Sequence, residues 1–139
     1  MDRWVVLYDA ECGLCKWLLA GILRWDQAQQ LEPVALQRDR AARLLADLSP
    51  EARYASWHLL APGGERYSGG AALAPMLRKL PYGSLPARAF ASLPSLTDRG
   101  YGWVAAHRRQ LSRLVPAGRK RRSAEFVRER ERVSGERDS

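Results

Sequence analysis

The stretch "VVLYDAECGLCKWLLAGIL", residues 5–23, contains both cysteines of the chain, Cys12 and Cys15. Its first half is apolar and rich in valine, and together with the flanking residues it predicts a buried strand over 3–9. From residue 13 to residue 25 the apolar residues recur at helical spacing, which predicts a helix. The two cysteines are therefore expected where a strand ends and a helix begins.

The rest of the chain continues the alternation of strands and helices. The predicted elements are strands at 31–37, 55–62 and 65–69, helices at 38–49, 69–81 and 86–93, and a longer helix that starts near Tyr101. Ser49-Pro50 is interpreted as the end of the second helix. Two strands joined by a helix, followed by a hairpin and a helix, predict an α/β thioredoxin-like fold. We expect a central mixed four-stranded sheet flanked by helices, with extra C-terminal helices.

The length and composition are those of one globular domain followed by a charged tail. The chain has 139 residues, of which 46% are apolar, and this length allows a single core. We predict a thioredoxin-like domain over 1–116. Residues 117–139 are nearly all charged, with Phe126 and Val127 as their only apolar pair, so this basic tail is predicted to be frayed helix or disordered.

The cysteines are better suited to chemistry than to stabilising the fold. A disulfide between Cys12 and Cys15 would close too small a loop to stabilise the fold. The N-terminus lacks the three-part pattern of a secretory signal, and the longest apolar run, "WLLAGIL", is too short to span a bilayer. We therefore expect a cytoplasmic, reducing location, where close cysteine pairs are typically catalytic or metal-binding.

A helix N-terminus favours thiolate chemistry at Cys12. Its free amide groups and the positive end of the helix dipole stabilise a negative sulfur. Cys15 lies one turn later, with Cβ atoms roughly 5–6 Å apart at this spacing, so a disulfide can form with modest adjustment. We expect Cys12 to attack and Cys15 to resolve the mixed disulfide. Asp9 is expected either to cap the helix or to relay the proton of Cys15 as a general base.

Three blocks of sequence resemble one known family. "YDAECGLC" resembles the D-x-x-C-x-x-C pattern of the DCC family, whose members are predicted thiol-disulfide oxidoreductases of the thioredoxin-like class. "YSGGAALAPMLRKLP" and "GYGWVAAHRRQL", the latter with a helical arginine, resemble the second and third blocks of that family in the same order. The resemblance covers about residues 4 to 115. It implies redox activity with Asp9, Cys12 and Cys15 as the site residues, and neither a cofactor nor a metal is predicted.

The chain departs from thioredoxin itself before the third predicted strand. Thioredoxins place a cis-proline there, whereas this chain reads "RYASWHLL". Either Ala55 or Ser56 takes that place, or the substrate is held in another way. The glycine pair Gly69-Gly70 is interpreted as a plain strand-to-helix turn, with a carboxylate site, such as one for glutathione, as the alternative.

A metal site is the first alternative function. Zinc would need His58 and His107 beside the two cysteines, because a structural zinc takes four nitrogen or sulfur ligands. Copper(I) could be held by the two thiolates alone. The ordinary interpretation makes His58 a partly buried, hydrogen-bonded strand residue and His107 a surface residue.

An anion-binding interaction module is the second alternative. The formal net charge is +8, and residues Arg99 to Arg122 contain eight basic residues and no acidic one. Such a segment is suited to weak contact with an anionic surface through the basic C-terminus. No nucleic-acid motif accompanies it. The expected partner of the cysteines is a disulfide-containing protein or a small thiol substrate.

Overall fold

The structure is a computed structural model that describes the backbone over residues 3–138 and the side chains over 3–134. The strands are Trp4–Tyr8 (β1), Leu31–Ala35 (β2), His58–Leu60 (β3) and Arg66–Ser68 (β4). The helices are Gly13–Trp25 (α1), Asp39–Leu44 (α2), Pro50–Ala55 (α3), Leu73–Leu77 (α4), Ser84–Ser92 (α5), Pro94–Ala106 (α6), Arg108–Leu114 (α7) and Ala117–Asp138 (α8). A 3-10 turn over Gly69–Ala72 leads into α4. None of the described helices is both long and apolar enough to cross a membrane.

The four strands form one mixed sheet in the order β2-β1-β3-β4. Strand β1 pairs in parallel with β2, with Val6 opposite Pro33. It pairs antiparallel with β3, where Val6 lies opposite Leu59. Strands β3 and β4 form the predicted hairpin, with Leu59 opposite Tyr67. This mixed four-stranded sheet flanked by helices confirms the predicted architecture and is consistent with an α/β thioredoxin-like fold.

Strand β1 divides the core into two layers because successive side chains point to opposite faces of a sheet. Val6 and Tyr8 belong to the larger layer, which also receives buried residues of α1, α4 and α8. Val5 and Leu7 belong to the smaller layer, which is covered by α2 and the residues that follow it. Burial on both faces makes β1 a rigid platform for the loop that carries Cys12.

Several predicted elements have different bounds in the structure. The helix predicted over 38–49 ends at Leu44, and the one predicted over 69–81 is a 3-10 turn followed by the short helix α4. The third strand is His58–Leu60 rather than 55–62, and its predicted first residue belongs to α3. The N-cap of α3, Ser49, accepts a hydrogen bond of 3.2 Å from the Ala52 N–H. Ser49-Pro50 therefore starts a helix rather than ending one. The helix predicted from Tyr101 starts at Pro94 and is divided at His107 into α6 and α7.

Residues 117–138, for which the sequence predicted frayed helix or disorder, form helix α8. Its buried row is Ser123, Val127, Glu131 and Ser134, spaced by three or four residues as one face of a helix requires. Hydropathy does not reveal such a face, because it is made of small and polar side chains around one valine. The boundary after residue 116 stays a prediction, and residues 1, 2 and 139 lie outside the described part of the chain.

Helix α8 lies alongside α1 and runs in the same direction. Near its start, Lys120 lies against Gly13 at the beginning of α1. Further on, the Arg24 guanidinium lies 5.0 Å from the centre of the Phe126 ring. Near the end of α1, Arg130 pairs with the buried carboxylate of Asp26 at 3.1 Å. Helix α8 therefore spans the length of α1, from the cysteine turn to the residue after its last turn.

Candidate active site

Cys12 is the N-cap residue of α1. Its backbone is extended, with φ −96° and ψ 107°, and its Sγ accepts a hydrogen bond of 3.3 Å from the Cys15 N–H. The Cys12 sulfur thus takes the place that an oxygen of serine or aspartate takes at most helix starts. Both cysteines are free thiols and both are half-buried. The predicted placement of the pair, at the transition from strand to helix, is confirmed.

The two thiols have opposite acidities. A hydrogen bond from the Cys15 side chain lowers the pKa of Cys12 from its ordinary value of 9.0 to about 6, helped by the Cys15 N–H and the charge of Arg108. Burial and the charge of Asp9 oppose this shift. The same bond raises the pKa of Cys15, and burial adds to the effect. At neutral pH the negative charge is therefore on Cys12 and the proton is on Cys15.

Arg108 is a site residue that the sequence analysis did not single out. It is the first residue of α7, it lines the same cavity as Cys15, and its positive charge favours the ionised form of both cysteines. The only signal in the sequence was its place within "GYGWVAAHRRQL", where nothing distinguishes it from Arg109. What distinguishes it is the helix break at His107, which brings the first turn of α7 against the start of α1.

Asp9 closes the loop between β1 and α1 rather than capping the helix. One carboxylate oxygen accepts hydrogen bonds from the Glu11 N–H at 2.9 Å and from the Gln37 amide at 2.8 Å. Its carbonyl oxygen accepts from the Cys12 N–H at 3.2 Å. The capping expectation is wrong because the Cys12 sulfur already occupies that position. The role of Asp9 as a general base stays a prediction.

A cavity of about 440 Å³ lies beside the cysteines. Asp9, Cys15 and Arg108 are among its polar lining residues. The rest of the wall is mainly apolar and includes Leu14, Leu18, Trp57, Leu96, Tyr101 and Val104. A volume of this size is within the range of small-ligand sites, which are commonly apolar with a few polar groups. On this side Cys15 therefore faces a mainly apolar cavity, whereas Cys12 is not among the lining residues.

Trp57 and Tyr101 form a fixed part of the cavity wall. Their rings stack with centres 5.8 Å apart, and the Tyr101 hydroxyl accepts a hydrogen bond of 3.1 Å from the Trp57 N–H. Burial raises the pKa of Tyr101 to about 12, so its hydroxyl stays neutral. Ser56, one of the two residues expected at the place of the cis-proline, also lines the cavity.

The Gly69-Gly70 turn fits the plain structural interpretation. A Cβ atom on Gly70 would lie 2.8 Å from a carboxylate oxygen of Asp98 and 3.0 Å from the carbonyl oxygen of Thr97. Helix α6 therefore packs directly on this turn. A carboxylate of the protein beside the glycines also disfavours the binding of a second carboxylate there.

The histidines are placed as the ordinary interpretation predicted or close to it. His58 is buried, with Nε2 at 3.0 Å from the Arg53 carbonyl oxygen and Nδ1 at 2.7 Å from the Ser68 hydroxyl. Burial lowers the pKa of His58, so the ring is neutral. His107 is half-buried, with its ring stacked on the exposed Trp103. Within residues 3–134, no group of three or more His, Cys, Asp and Glu side chains is placed to hold a metal ion.

The basic segment from Arg99 to Arg122 does not present a single cationic face. It is divided among α6, α7 and α8, and six of its side chains are exposed, namely Arg99, Arg109, Arg113, Arg119, Arg121 and Arg122. The other two, Arg108 and Lys120, are half-buried near the start of α1. Two of the predicted anion-binding residues therefore belong to the surroundings of the cysteines, and anion binding by the rest stays a prediction.

A thiolate at the N-cap of the helix after a central strand, with its protonated partner one turn later, defines a dithiol site on an α/β sheet. Residues 6–114 match the DCC1-like thiol-disulfide oxidoreductase family, and the chain belongs to that family. No curated protein and no solved structure matches the chain in the same comparisons. The matched region ends with the last residue of α7, so α8 lies beyond it.

Proposed function

We propose that the protein exchanges electrons between its Cys12–Cys15 pair and the disulfide of a substrate. The observation that carries this proposal is the 3.3 Å contact between the Cys12 sulfur and the Cys15 N–H, together with the division of charge and proton between the two thiols. A nucleophile that is ionised at neutral pH and a protonated neighbour within reach are what the two steps of dithiol exchange need.

In the first step the Cys12 thiolate attacks one sulfur of the substrate disulfide. A Cys12–substrate disulfide forms, the substrate S–S bond breaks, and one substrate thiolate leaves. In the second step Cys15 loses its proton and attacks the Cys12 sulfur. The Cys12–Cys15 disulfide forms and the second substrate thiolate leaves with that proton. The substrate gains two electrons and the protein loses two. The reverse sequence oxidises a substrate dithiol.

The surroundings of Cys15 change between the two steps. While Cys12 is ionised, its charge keeps the Cys15 proton in place. Once Cys12 is part of the mixed disulfide this charge is gone, and the Arg108 guanidinium favours the Cys15 thiolate. We assign the general base to Asp9, which lines the cavity together with Cys15.

The cavity supports a preference among disulfides. Its wall is mainly apolar, so a substrate that places an apolar group beside its disulfide buries that group, at roughly 25 cal/mol per Å². A strongly charged group would lose its hydration there without full compensation. We therefore propose disulfides with an apolar neighbouring group as the preferred substrates.

Trapping of the mixed disulfide tests the proposed function. Cys12→Ser removes the nucleophile and should abolish reduction of a small disulfide. Cys15→Ser should leave Cys12 joined to half of the substrate, detected as an added mass that a thiol reductant removes. Metal analysis of the wild-type sample in the same experiment tests the zinc and copper alternative. Full reductase activity of the Cys12 variant would contradict the assignment of Cys12 as the nucleophile and Cys15 as the resolving cysteine.

A further inference from the structure

The C-terminal helix reaches the cysteine motif through one side chain. A Cβ atom on Gly13, the residue after Cys12, would lie 3.1 Å from Cδ of Lys120 and 3.4 Å from the hydroxyl oxygen of Ser112. The Lys120 ammonium donates a hydrogen bond of 3.3 Å to that same hydroxyl. Lys120 of α8 and Ser112 of α7 thus cover the turn between the two cysteines from one side, and glycine leaves them the room to do so.

Ser112 is tied to the redox site through its own helix. Arg108 and Ser112 are four residues apart in α7, so their side chains lie on one face of that helix. Arg108 lines the cavity together with Cys15, and Ser112 lies over Gly13. Helix α7 has only seven residues and buries none of them. Because so short a helix has little stability of its own, its polar contacts determine where it lies.

Helix α8, in contrast, is firmly held. Glu131 and Arg130 bind it to the sheet and to the end of α1, and Val127 is fully buried. Lys120 therefore projects from a fixed helix onto a weakly anchored one. Because α8 is held firmly and α7 is not, Lys120 can fix the position of α7. The exposed cations beside Lys120 make no such contact with α7 in the described hydrogen bonds.

We propose that Lys120 is a positioning residue of the dithiol site, which holds α7 through Ser112 so that Arg108 stays against the cysteines. The proposal rests on the proposed function, since it concerns the reactivity of Cys12. It also extends the site beyond the region that matches the family, because Lys120 follows residue 114.

The charged and titratable groups around Cys12 come from three elements and one loop. They are Asp9 in the loop before α1, Cys15 on α1, Tyr101 on α6 and Arg108 on α7. Lys120 on α8 faces the neighbouring Gly13. A direct charge effect of Lys120 and an effect through Arg108 both predict a weaker nucleophile when Lys120 is neutral, so the experiment must separate them.

The test measures the alkylation rate of Cys12 across pH in the full chain. Lys120→Met keeps the aliphatic stem over Gly13 and removes the ammonium. If the pKa of Cys12 rises by about one unit, its thiolate at pH 6 falls from about a half to about a tenth, so the rate falls about fivefold. Lys120→Arg should restore it. Arg121→Met, which removes an exposed cation next to Lys120, should leave the rate unchanged.

A double variant distinguishes the two routes. With Arg108→Met already present, Lys120→Met should slow alkylation no further, because a positioning residue has nothing left to position. A further slowing of the same size would mean that Lys120 acts by its charge alone and would overturn the proposal. Equal rates for Lys120→Met and wild type would overturn it as well.

Folding and the proposed function are checked separately. Thermal unfolding is recorded for each variant, and if Lys120→Met does not fold, Ser112→Ala removes the other half of the contact and should give the same fall in rate. Unchanged alkylation in Ser112→Ala would then contradict the proposal. Because trapping at Cys12 is measured without these variants, the dithiol function can stand while the role of Lys120 fails.

Discussion

The Glu131 carboxylate on α8 accepts a hydrogen bond of 2.8 Å from the Tyr8 hydroxyl at the end of β1, although the two residues are 123 positions apart. Its other oxygen accepts from the Ala35 N–H at 3.0 Å and from Arg38 Nε at 2.8 Å. Only 8% of Glu131 is exposed. A buried carboxylate with three donors belongs to a charge-assisted network, which is worth more than separate neutral bonds.

Glu131→Ala should lower the free energy of unfolding by about 3 kcal/mol, because the Ala35 N–H and the Tyr8 hydroxyl lose their buried acceptor. Urea denaturation measures the change. The control is Glu129→Ala, which breaks an exposed pair with Arg132 on the same helix. That variant should change stability by less than about 1 kcal/mol. Equal effects of the two substitutions would contradict a special role for Glu131.

The pH profile of alkylation should follow the thiolate of Cys12. The rate is expected to rise with pH, reach half its maximum near pH 6 and stay constant above neutrality, since the hydrogen bond from Cys15 stabilises the thiolate. Cys15→Ala removes this donor and should move the midpoint upward, towards the ordinary value. A wild-type midpoint above pH 8 would contradict the arrangement of charge and proton described for the pair.

Filling the cavity should affect apolar substrates selectively. Val104→Phe adds bulk to the wall and should lower kcat/KM for a disulfide with an aromatic group by about tenfold or more. The value for hydroxyethyl disulfide, which is small and polar, should stay within about twofold. Leu85→Phe, at a residue with 76% exposure outside the cavity lining, is the matched control. A parallel fall for both disulfides would argue against a selective cavity.

Two glycine substitutions test how closely α6 packs on the turn before α4. Gly70→Ala should lower stability by about 1–3 kcal/mol, because its Cβ would lie 2.8 Å from a carboxylate oxygen of Asp98 and only 3.0 and 3.1 Å from backbone atoms of Thr97 and Asp98. Gly102→Ala, inside α6 with no atom within 4 Å of the new Cβ, should raise stability by up to about 1 kcal/mol. Thermal unfolding of both variants measures the difference. A Gly70→Ala protein as stable as wild type would contradict the close packing.

The parts of the fold that depend on local pattern were predictable. The strand before Cys12, the helix after it and the β3–β4 hairpin each follow from the spacing of apolar residues and from turn residues within a short window. Ser49-Pro50 shows the limit of this approach. The same two residues that can follow one helix can also cap the next, and only the structure shows that they start α3.

The parts that depend on distant polar contacts were not predictable. Helix α8 is strongly polar, and its burial depends on partners for Glu131 and Arg130 that lie about a hundred residues earlier in the chain. Arg108 could not be told from the other arginines because its partner, Cys15, is in another helix. Asp9 was expected to cap α1, but Cys12 is the N-cap residue.

The break at His107 connects the helix that lines the cavity, α6, to the helix that carries Arg108, α7. Helix α6 forms a wall of the cavity, and the positive charge of Arg108 on α7 favours the Cys12 thiolate. Neither helix has a fully buried side chain. We expect a ligand that displaces α6 outward to move the Arg108 guanidinium as well. The pKa of Cys12 would then depend on which molecule occupies the cavity, so that binding of a substrate changes the reactivity of the thiol.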